Sequence, residues 1–228
     1  MTATYTVLIT GANRGIGLEF TKQYAEAGWR VLACCRDSQS ASALQSIATT
    51  HVNVQIYALD VSDFAQIDAL AQKLSNVAID VLINNAGVYP GGGTNANDWE
   101  KSFRINSMAP HKMADAYKAH IAKSTLKKLA TLSSKMGSID DNTSGGSYIY
   151  RSTKTAVNMV MKSLAIDLKP LGIAVVTLHP GWVQTDMGGS NALINAQTSV
   201  TGLRNVIDNL SLANTGKFIA YDGKEIAW

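Results

Sequence analysis

Cysteines and long apolar runs are scarce in this sequence of 228 residues. The two cysteines, Cys34 and Cys35, are neighbours in the apolar stretch WRVLACCRD, so we expect buried strand thiols, with no disulfide framework and no metal cluster. No apolar run approaches the ~18 residues of a membrane span. The N-terminal MTATYTV lacks the charged and apolar blocks of a secretory signal. We therefore expect a cytoplasmic protein without a membrane partner.

A strong excess of charge of either sign is also missing. Lys and Arg total 20 against 17 for Asp and Glu, which leaves a formal net charge of +3. Because no basic stripe extends beyond the short STLKKL segment, this balance does not favour a nucleic-acid partner. With 46% hydrophobic and 16% charged residues, the composition is typical of a globular protein, and the length suffices for a sizeable core.

Short apolar runs alternate with segments of helical spacing along the whole chain. The runs predict seven strands, at residues 4–10, 30–35, 54–60, 79–86, 126–134, 172–180 and 217–221. Helical spacing lies between them, for example at residues 17–28, 63–75 and 150–172.

The alternation of strands and helices predicts the fold class. Strands that alternate with helices form parallel sheets, and runs that are apolar throughout indicate a sheet covered on both faces. We therefore predict an α/β fold, a doubly wound Rossmann-type sheet of seven parallel strands, in one domain over residues 1–228. The loop at residues 88–98 should lie near the carboxyl edge of this sheet, where such folds bind ligands.

Three glycines stand where the first strand hands over to the first helix, in TGANRGIG at residues 10–17. Glycine permits a tight turn and the close approach of a ligand to the backbone, and a helix N-terminus attracts phosphate. The spacing G-x-x-x-G-x-G differs from the usual dinucleotide fingerprint. Gly11, Gly15 and Gly17 therefore predict a phosphate-binding turn of a particular type.

Four motifs in register extend this reading. TGANRGIG is followed by NNAG at residues 84–87, YRSTK at 150–154 and HPGWVQTDM at 179–187. In this order and spacing the chain resembles the short-chain dehydrogenase/reductase family over nearly its whole length. The HPGWV segment and the C-terminal segment YDGKEIAW resemble those of the branch of sniffer-type carbonyl reductases and C-factor signalling proteins. The resemblance implies an oxidoreductase that interconverts a carbonyl compound, an aldehyde or ketone, and its alcohol.

Tyr150 and Lys154 are the principal catalytic candidates. They are four residues apart at the start of a helical pattern, so both side chains lie on one face and reach the same small volume. A free tyrosine has a pKa near ~10, and an adjacent ammonium favours its phenolate, so we expect Lys154 to tune Tyr150. The resemblance implies that Tyr150 exchanges a proton with the substrate oxygen and that Lys154 also holds the ribose hydroxyls of the cofactor.

The resemblance implies two further catalytic residues. A serine at the end of the fifth strand should bind the substrate carbonyl, and matching of the segment ATLSSKMGS selects Ser134 from Ser133, Ser134 and Ser138. The segment before Tyr150 is a few residues longer than in many family members, so Ser138 stays an alternative. Asn106, in FRINSM, matches the asparagine that holds a water in a proton relay; as a plain structural residue it would bend a helix and bond the backbone.

The residue after the second strand indicates the nucleotide. An acidic residue there accepts the ribose hydroxyls of NAD, whereas arginine accommodates the phosphate of NADP. Arg36 follows VLACC directly, and Arg14 in the glycine turn should converge on the same phosphate. NADP is therefore the expected cofactor. Asp37, beside Arg36, leaves NAD as the less favoured alternative.

The same resemblance assigns roles to other positions. Asp60 should contact adenine, unless it shares a helix-capping role with Ser62 and Asp63. Pro180 and Gly181 should shape the loop beside the nicotinamide, with Thr185 and the Val183 backbone on its carboxamide. His179 is expected to be structural, since no nucleophile is paired with it. The remaining expected cofactor-binding residues are Gly11, Asn13, Gly15, Ile16, Gly17, Val61, Asn85, Ala86, Gly87, Tyr150 and Lys154.

Two alternatives come from other classes of function. A C-factor-like protein would bind the dinucleotide and signal with little turnover, and a nucleotide-sensing repressor would bind without turnover. The segment DMGGSNALINAQTSVTGL is rich in small residues, so we expect loose substrate specificity. The apolar helix AVNMVMKSLAIDL is the surface on which we expect any homo-oligomer to form.

Overall fold

A single parallel sheet organises the part of the chain that the structure, a computed structural model, describes: residues 5–228. Its seven strands there are β1 (Thr6–Thr10), β2 (Arg30–Cys35), β3 (Val54–Ala58), β4 (Val81–Asn84), β5 (Lys128–Leu132), β6 (Ala174–His179) and β7 (Lys217–Ala220). Their order is β3-β2-β1-β4-β5-β6-β7, and every neighbouring pair is parallel. The predicted strands are thus confirmed, except that residue 4 of the first lies outside the described residues.

The connections between the strands are helical. Residues 5–228 contain the helices α1 (Gly15–Glu26), α2 (Ser42–Thr50), α3 (Phe64–Lys73), α4 (Ala96–Phe103), α5 (Ala109–Ala122), α6 (Tyr148–Asp167) and α7 (Ala196–Asp208). A π-helical turn, Arg104–Met108, joins α4 to α5, and 3₁₀ turns lie at Lys135–Gly137 and Lys169–Leu171.

The helix boundaries follow local capping chemistry. Asp63 begins α3, since its carboxylate accepts the N–H groups of Ala65 and Gln66. Asn95 caps α4 in the same way, so the predicted loop at residues 88–98 is wrong in its last three residues, which form the first turn of α4. The helix predicted from Tyr150 begins two residues earlier, at Tyr148.

Both faces of the sheet are covered. Helices α3, α5 and α6 pack against one face, and α1, α2 and α7 pack against the other. Successive residues of a strand point to opposite faces, so Cys34 contributes to the first core and Cys35 to the second. Both are free, buried thiols, as predicted. The α/β doubly wound fold is therefore confirmed.

No helix within residues 5–228 combines the length and the apolar character needed to cross a bilayer.

Candidate active site

The glycine turn between β1 and α1 depends on the absence of side chains. Gly11 and Gly15 adopt left-handed backbone conformations, with φ of 66° and 52°. Gly17 is held differently: a Cβ atom there would lie 2.1 Å from the carbonyl oxygen of Gly11. The turn can therefore bend tightly and present its backbone to the space beyond the sheet.

Thr10, the last residue of β1, fastens the glycine turn to the NNAG motif. Its Oγ1 accepts the N–H groups of Asn85 and Ala86 at 3.0 and 3.1 Å. In return, the Asn85 Nδ2 donates to the carbonyls of Thr10 and Gly11 at 2.9 and 3.1 Å. These bonds fix two motifs, separated by more than 70 residues, at the point where the strand order reverses. Open α/β sheets bind ligands at such a point.

A cavity of about 490 Å³ runs along this edge of the sheet. The predicted cofactor-binding residues that line it are Gly11, Asn13, Arg14, Gly15, Ile16, Gly17, Arg36, Asp60, Val61, Asn85, Ala86, Gly87, Tyr150, Lys154, Pro180 and Thr185. The sequence therefore located most of one contiguous groove.

Two of the predicted cofactor-binding residues do not line this cavity. The left-handed Gly181 faces Ile194 and Tyr221, which a Cβ atom would meet at 2.8 and 2.9 Å. Val183 is buried and pairs with Ile194 in a short β-bridge. Both residues shape the loop after β6 from behind the cavity wall.

Tyr150 and Lys154 lie one turn apart on α6 and both line the cavity, as their spacing predicts. The Lys154 Nζ donates to the carbonyl of Leu132 at 2.9 Å and lies 5.7 Å from the centroid of the Tyr150 ring. Burial lowers the pKa of Lys154 to about 8. The ammonium still predominates at neutral pH, within reach of the tyrosine.

The pKa of Tyr150 moves in the direction opposite to our prediction. Burial raises it to about 12, the Ser134 hydroxyl lowers it by hydrogen bonding, and the Tyr89 ring raises it further. The Lys154 Nζ lies over the Tyr150 ring and donates to the Leu132 carbonyl. Tyr150 therefore keeps its proton at neutral pH, and its tuning by Lys154 stays a prediction.

The two serine candidates have different surroundings. Ser134 follows β5, caps the 3₁₀ turn by accepting the Met136 N–H at 3.2 Å, and interacts with the Tyr150 hydroxyl. Ser138 is almost fully buried: it donates to the carbonyl of Ala227 at 2.7 Å and accepts the Asp141 N–H at 3.1 Å. The geometry therefore favours Ser134 as the serine that works with Tyr150 and gives Ser138 a structural role.

Asn106 is the centre of the π-helical turn and clamps the end of the NNAG segment. Its Oδ1 accepts the Val88 N–H at 2.9 Å, and its Nδ2 donates to the Val88 carbonyl and the Thr153 hydroxyl, both at 3.0 Å. A Cβ atom on Gly87 would meet both the Asn106 Oδ1 and the Lys154 Nζ, at 3.3 and 3.6 Å. Asn106 thus lies close to Lys154, and its side-chain amide is hydrogen-bonded to Val88 and Thr153.

Arg14 and Arg36 both line the cavity, and their convergence on one phosphate stays a prediction. The Arg14 Nη1 donates to the Asp186 carboxylate at 2.9 Å, so the guanidinium is drawn to the loop after β6. Among residues 5–228, Arg36 has no acidic partner within ion-pair distance and lines the cavity. Arg36 is therefore available to a phosphate at the end of β2.

Asp37 is engaged locally. Its carboxylate accepts the N–H groups of Gln39 and Ser40 at 3.0 and 3.1 Å and the Ser40 hydroxyl at 2.6 Å. These hydrogen bonds lower the pKa of Asp37. Because the carboxylate closes its own turn, this geometry favours Arg36 over Asp37 as the residue that selects the nucleotide.

Asp60 binds the nearby Ser62, and its contact with adenine stays a prediction. One carboxylate oxygen, Oδ1, accepts both the N–H and the hydroxyl of Ser62, at 2.8 and 2.7 Å. The cap of α3 is Asp63, so Asp60 does not serve as that cap. Asp60 lines the cavity and belongs to its wall.

Comparison with known proteins identifies the family. A sequence model described as short chain dehydrogenase matches residues 5–193. The chain belongs to the short chain dehydrogenase family.

Solved structures share the fold of this short chain dehydrogenase over nearly its whole length. The carbonyl reductase Sniffer of D. melanogaster is 33% identical, with a TM-score of 0.91, and covers 99% of this chain and 100% of its own. An NADPH-bound carbonyl reductase from chicken fatty liver is 35% identical, also with a TM-score of 0.91, and covers 99% of each chain.

A curated relative is also similar to this short chain dehydrogenase. The C-signal of Myxococcus xanthus is 42% identical over 164 residues, which are 70% of this chain and 99% of its own. The resemblance to the sniffer and C-factor branch, predicted from the motifs, is confirmed by these similarities.

Sequence reasoning did not single out four residues of this short chain dehydrogenase site: Thr10, Ser40, Tyr89 and Asp186. The Tyr89 ring packs edge-on against the Tyr150 ring, with centroids 5.0 Å apart. Its hydroxyl lies 3.3 Å from the Ser147 hydroxyl at the start of α6. Tyr89 is two residues past NNAG, and that position beside a motif was the one available signal.

Proposed function

We propose that this protein reduces an aldehyde or ketone to its alcohol with NADPH. The observation that carries the proposal is the position of Tyr150: it lines the cavity wall, its hydroxyl interacts with Ser134, and it lies one helical turn from Lys154. With a pKa of about 12, Tyr150 holds its proton at neutral pH, as a free tyrosine also does, and can give it to an oxygen that is becoming an alkoxide. A protonated tyrosine is the state that a general acid in carbonyl reduction requires.

The groove fits a dinucleotide in shape and in donor chemistry. The glycine turn leaves its backbone uncovered at the N-terminus of α1, where a pyrophosphate is favoured. We assign the adenosine phosphate to Arg36, whose guanidinium forms no ion pair with the described residues. We assign the adenine to the part of the cavity wall that Asp60 and Val61 form. The NADPH-bound carbonyl reductase of chicken fatty liver, at 35% identity, supports the same choice of nucleotide.

Each catalytic side chain has a physical role in this proposal. NADPH, when bound, supplies the hydride. The Ser134 hydroxyl donates a hydrogen bond to the substrate oxygen and orients it, and Tyr150 delivers the proton. Lys154 places a positive charge near the tyrosine and can donate to ribose hydroxyls, while Asn106 holds the Val88 backbone behind it.

Steady-state oxidation of NADPH with a panel of aldehydes and ketones tests the proposal. We expect turnover with several members of the panel, which would also test the predicted loose specificity.

Tyr150→Phe should lower turnover on the order of 10²-fold or more, because a general acid is lost. Its affinity for NADPH should stay nearly unchanged, since the ring remains. An active Tyr150→Phe variant would contradict the assignment.

A second function has one observation in its favour. The C-signal of Myxococcus xanthus is 42% identical over 70% of this chain, so a dinucleotide-binding signalling role with little turnover is the alternative. Such a role does not require Ser134 beside a protonated Tyr150. Tight binding of NADPH without oxidation by any carbonyl compound would favour the signalling role, or a nucleotide-sensing one.

We also propose the organisation that the sequence predicts. One domain over residues 1–228 would carry both the nucleotide and the substrate sites in the cytoplasm. Helix α6 exposes Met159 and Ile166, and this face would pair copies of the chain if the protein is a homo-oligomer. The solution mass, measured with and without a polar substitution at Met159, tests the pairing.

A further inference from the structure

The regular backbone hydrogen bonds between β5 and β6 end next to Ser134. The last of them runs from the Ser133 N–H to the Leu178 carbonyl at 2.7 Å. The next bond of a parallel ladder would run from residue 180 to the Ser133 carbonyl, but Pro180 has no N–H, and the bond after it would run from the Lys135 N–H to the Pro180 carbonyl. That carbonyl instead accepts the Ser199 hydroxyl at 2.6 Å, from α7. The Lys135 N–H does not pair with this carbonyl.

The His179 ring supplies another acceptor. Its Nδ1 accepts the Lys135 N–H at 3.2 Å. A ring nitrogen can accept only when it carries no proton, so the neutral ring has its proton on Nε2. A side chain thus continues the sheet by one hydrogen bond where the backbone cannot.

The bond acts directly on Ser134. The Lys135 nitrogen belongs to the same peptide plane as the Ser134 carbonyl, which accepts the Gly137 N–H at 2.7 Å. Ser134 itself is extended, with φ of −151° and ψ of 146°. The peptide is therefore held on both sides, and the direction of the Ser134 side chain toward Tyr150 follows from it.

The surroundings keep the ring neutral. Burial lowers the pKa of His179 to about 4; the Lys135 ammonium lowers it further, and the Asp222 and Asp141 carboxylates oppose this. The acceptor at Nδ1 thus persists throughout the neutral range.

We propose that His179 is a positioning residue: it fixes the Ser134–Lys135 peptide through its Nδ1 and thereby aims the Ser134 hydroxyl at the reacting oxygen. The role rests on the proposed function, in which Ser134 binds the substrate carbonyl. His179 touches neither substrate nor cofactor in this role.

Two substitutions at position 179 distinguish the effect of the hydrogen-bond acceptor from the effect of the volume of the ring. In His179→Asn the amide oxygen takes nearly the place of Nδ1, whereas His179→Leu fills similar space without an acceptor. We expect His179→Leu to lower kcat by about three- to tenfold, the usual worth of one neutral hydrogen bond. The dissociation constant for NADPH should stay unchanged, and His179→Asn should restore most of kcat. Equal losses in the two variants, or an unchanged kcat in His179→Leu, would overturn the proposal.

The donor can be removed independently at position 135. Lys135→Pro deletes the N–H at the first position of a 3₁₀ turn, after an extended residue that proline tolerates. Lys135→Ala is its matched control, since it loses the same ion pair with Asp141 but keeps the N–H. Lys135→Pro should lower kcat as His179→Leu does, and the two together should cost no more than either alone. Additive losses would show that His179 acts elsewhere. If His179→Leu folds poorly, the comparison of Lys135→Pro with Lys135→Ala decides alone, and equal kcat values in these two variants would contradict the proposal.

A spectroscopic measurement separates this proposal from the proposed function. In the unmodified protein, ¹⁵N shifts of His179 should report an unprotonated Nδ1, and the Lys135 amide should exchange slowly with solvent. Fast exchange of that amide would contradict the hydrogen bond even if the enzyme is active. If no carbonyl compound is reduced, the proposed function fails, while slow exchange would still establish the bond.

Discussion

Ser134 and Ser138 are four residues apart, yet their hydroxyls do different work. We predict that Ser134→Ala lowers turnover on the order of 10²-fold, because it removes a donor to the reacting oxygen. Ser138→Ala should leave turnover nearly intact but lower the free energy of unfolding by about 1–3 kcal/mol. The reason is that the Ala227 carbonyl and the Asp141 N–H lose their hydrogen-bond partner. Kinetics and denaturant titration of both variants decide between them. The reverse ranking would make Ser138 the catalytic serine.

Arg36 and Arg14 offer a second contrast between single side chains. Arg36→Ala should weaken NADPH by about tenfold to a hundredfold and NADH much less, because charge-assisted hydrogen bonds to a phosphate are lost. Arg14→Ala should change this preference less, since Asp186 holds its guanidinium. Rising salt should weaken NADPH more than NADH in the unmodified protein. A preference of the unmodified protein for NADH would show that Arg36 is only a surface charge.

These side chains mark how far the sequence could predict the site. The helical spacing of Tyr150 and Lys154 and the glycine turn are local, so periodicity and residue type predict them. The Arg14–Asp186 ion pair joins positions 172 residues apart, so no local sequence pattern predicts it. The rise in the pKa of Tyr150 depends on burial by several elements, which also lies beyond a motif. Spatial neighbours chosen by the fold are what sequence reasoning missed.

Elements were predicted better than side-chain partners because apolar runs and caps are short-range features. Every predicted strand is found in the sheet, since a run that is apolar throughout can satisfy both its faces only between two helical layers. The loop at residues 88–98 was misjudged at its end, where Asn95 caps α4 within a polar segment that carries no apolar periodicity.

The turn between β1 and α1 gives a prediction about an element. A Cβ atom at Gly17 would lie 2.1 Å from the Gly11 carbonyl oxygen, so Gly17→Ala must displace backbone. We expect a loss of about 1–3 kcal/mol or more in the free energy of unfolding, together with weaker NADPH binding. Gly92→Ala is the control, because a Cβ atom there meets nothing within 4 Å. It should change stability by no more than about half a kcal/mol. Equal behaviour of the two variants would show that the turn tolerates a side chain.

For the molecule as a whole, the shifted histidines and aspartates act on stability in one direction. Burial lowers the pKa of His179 and of His120. Hydrogen bonds lower the pKa of the exposed Asp37 and Asp222. In each case the unfolded chain binds protons more readily than the folded chain, so stability falls as the pH falls.

The window and size of this effect follow from His179. Its pKa is 6.5 in the unfolded chain and about 4 in the folded protein. The free energy of unfolding is therefore unaffected by this group above about pH 6.5 and falls as the pH falls toward about 4. The total loss is at most roughly 3 kcal/mol. Denaturant titrations of the unmodified protein and of His179→Asn across this window measure the term as a difference, because the other groups are shared. We expect the unmodified protein to lose more stability than His179→Asn. Parallel curves would mean that His179 is as easily protonated in the folded protein as in the unfolded chain.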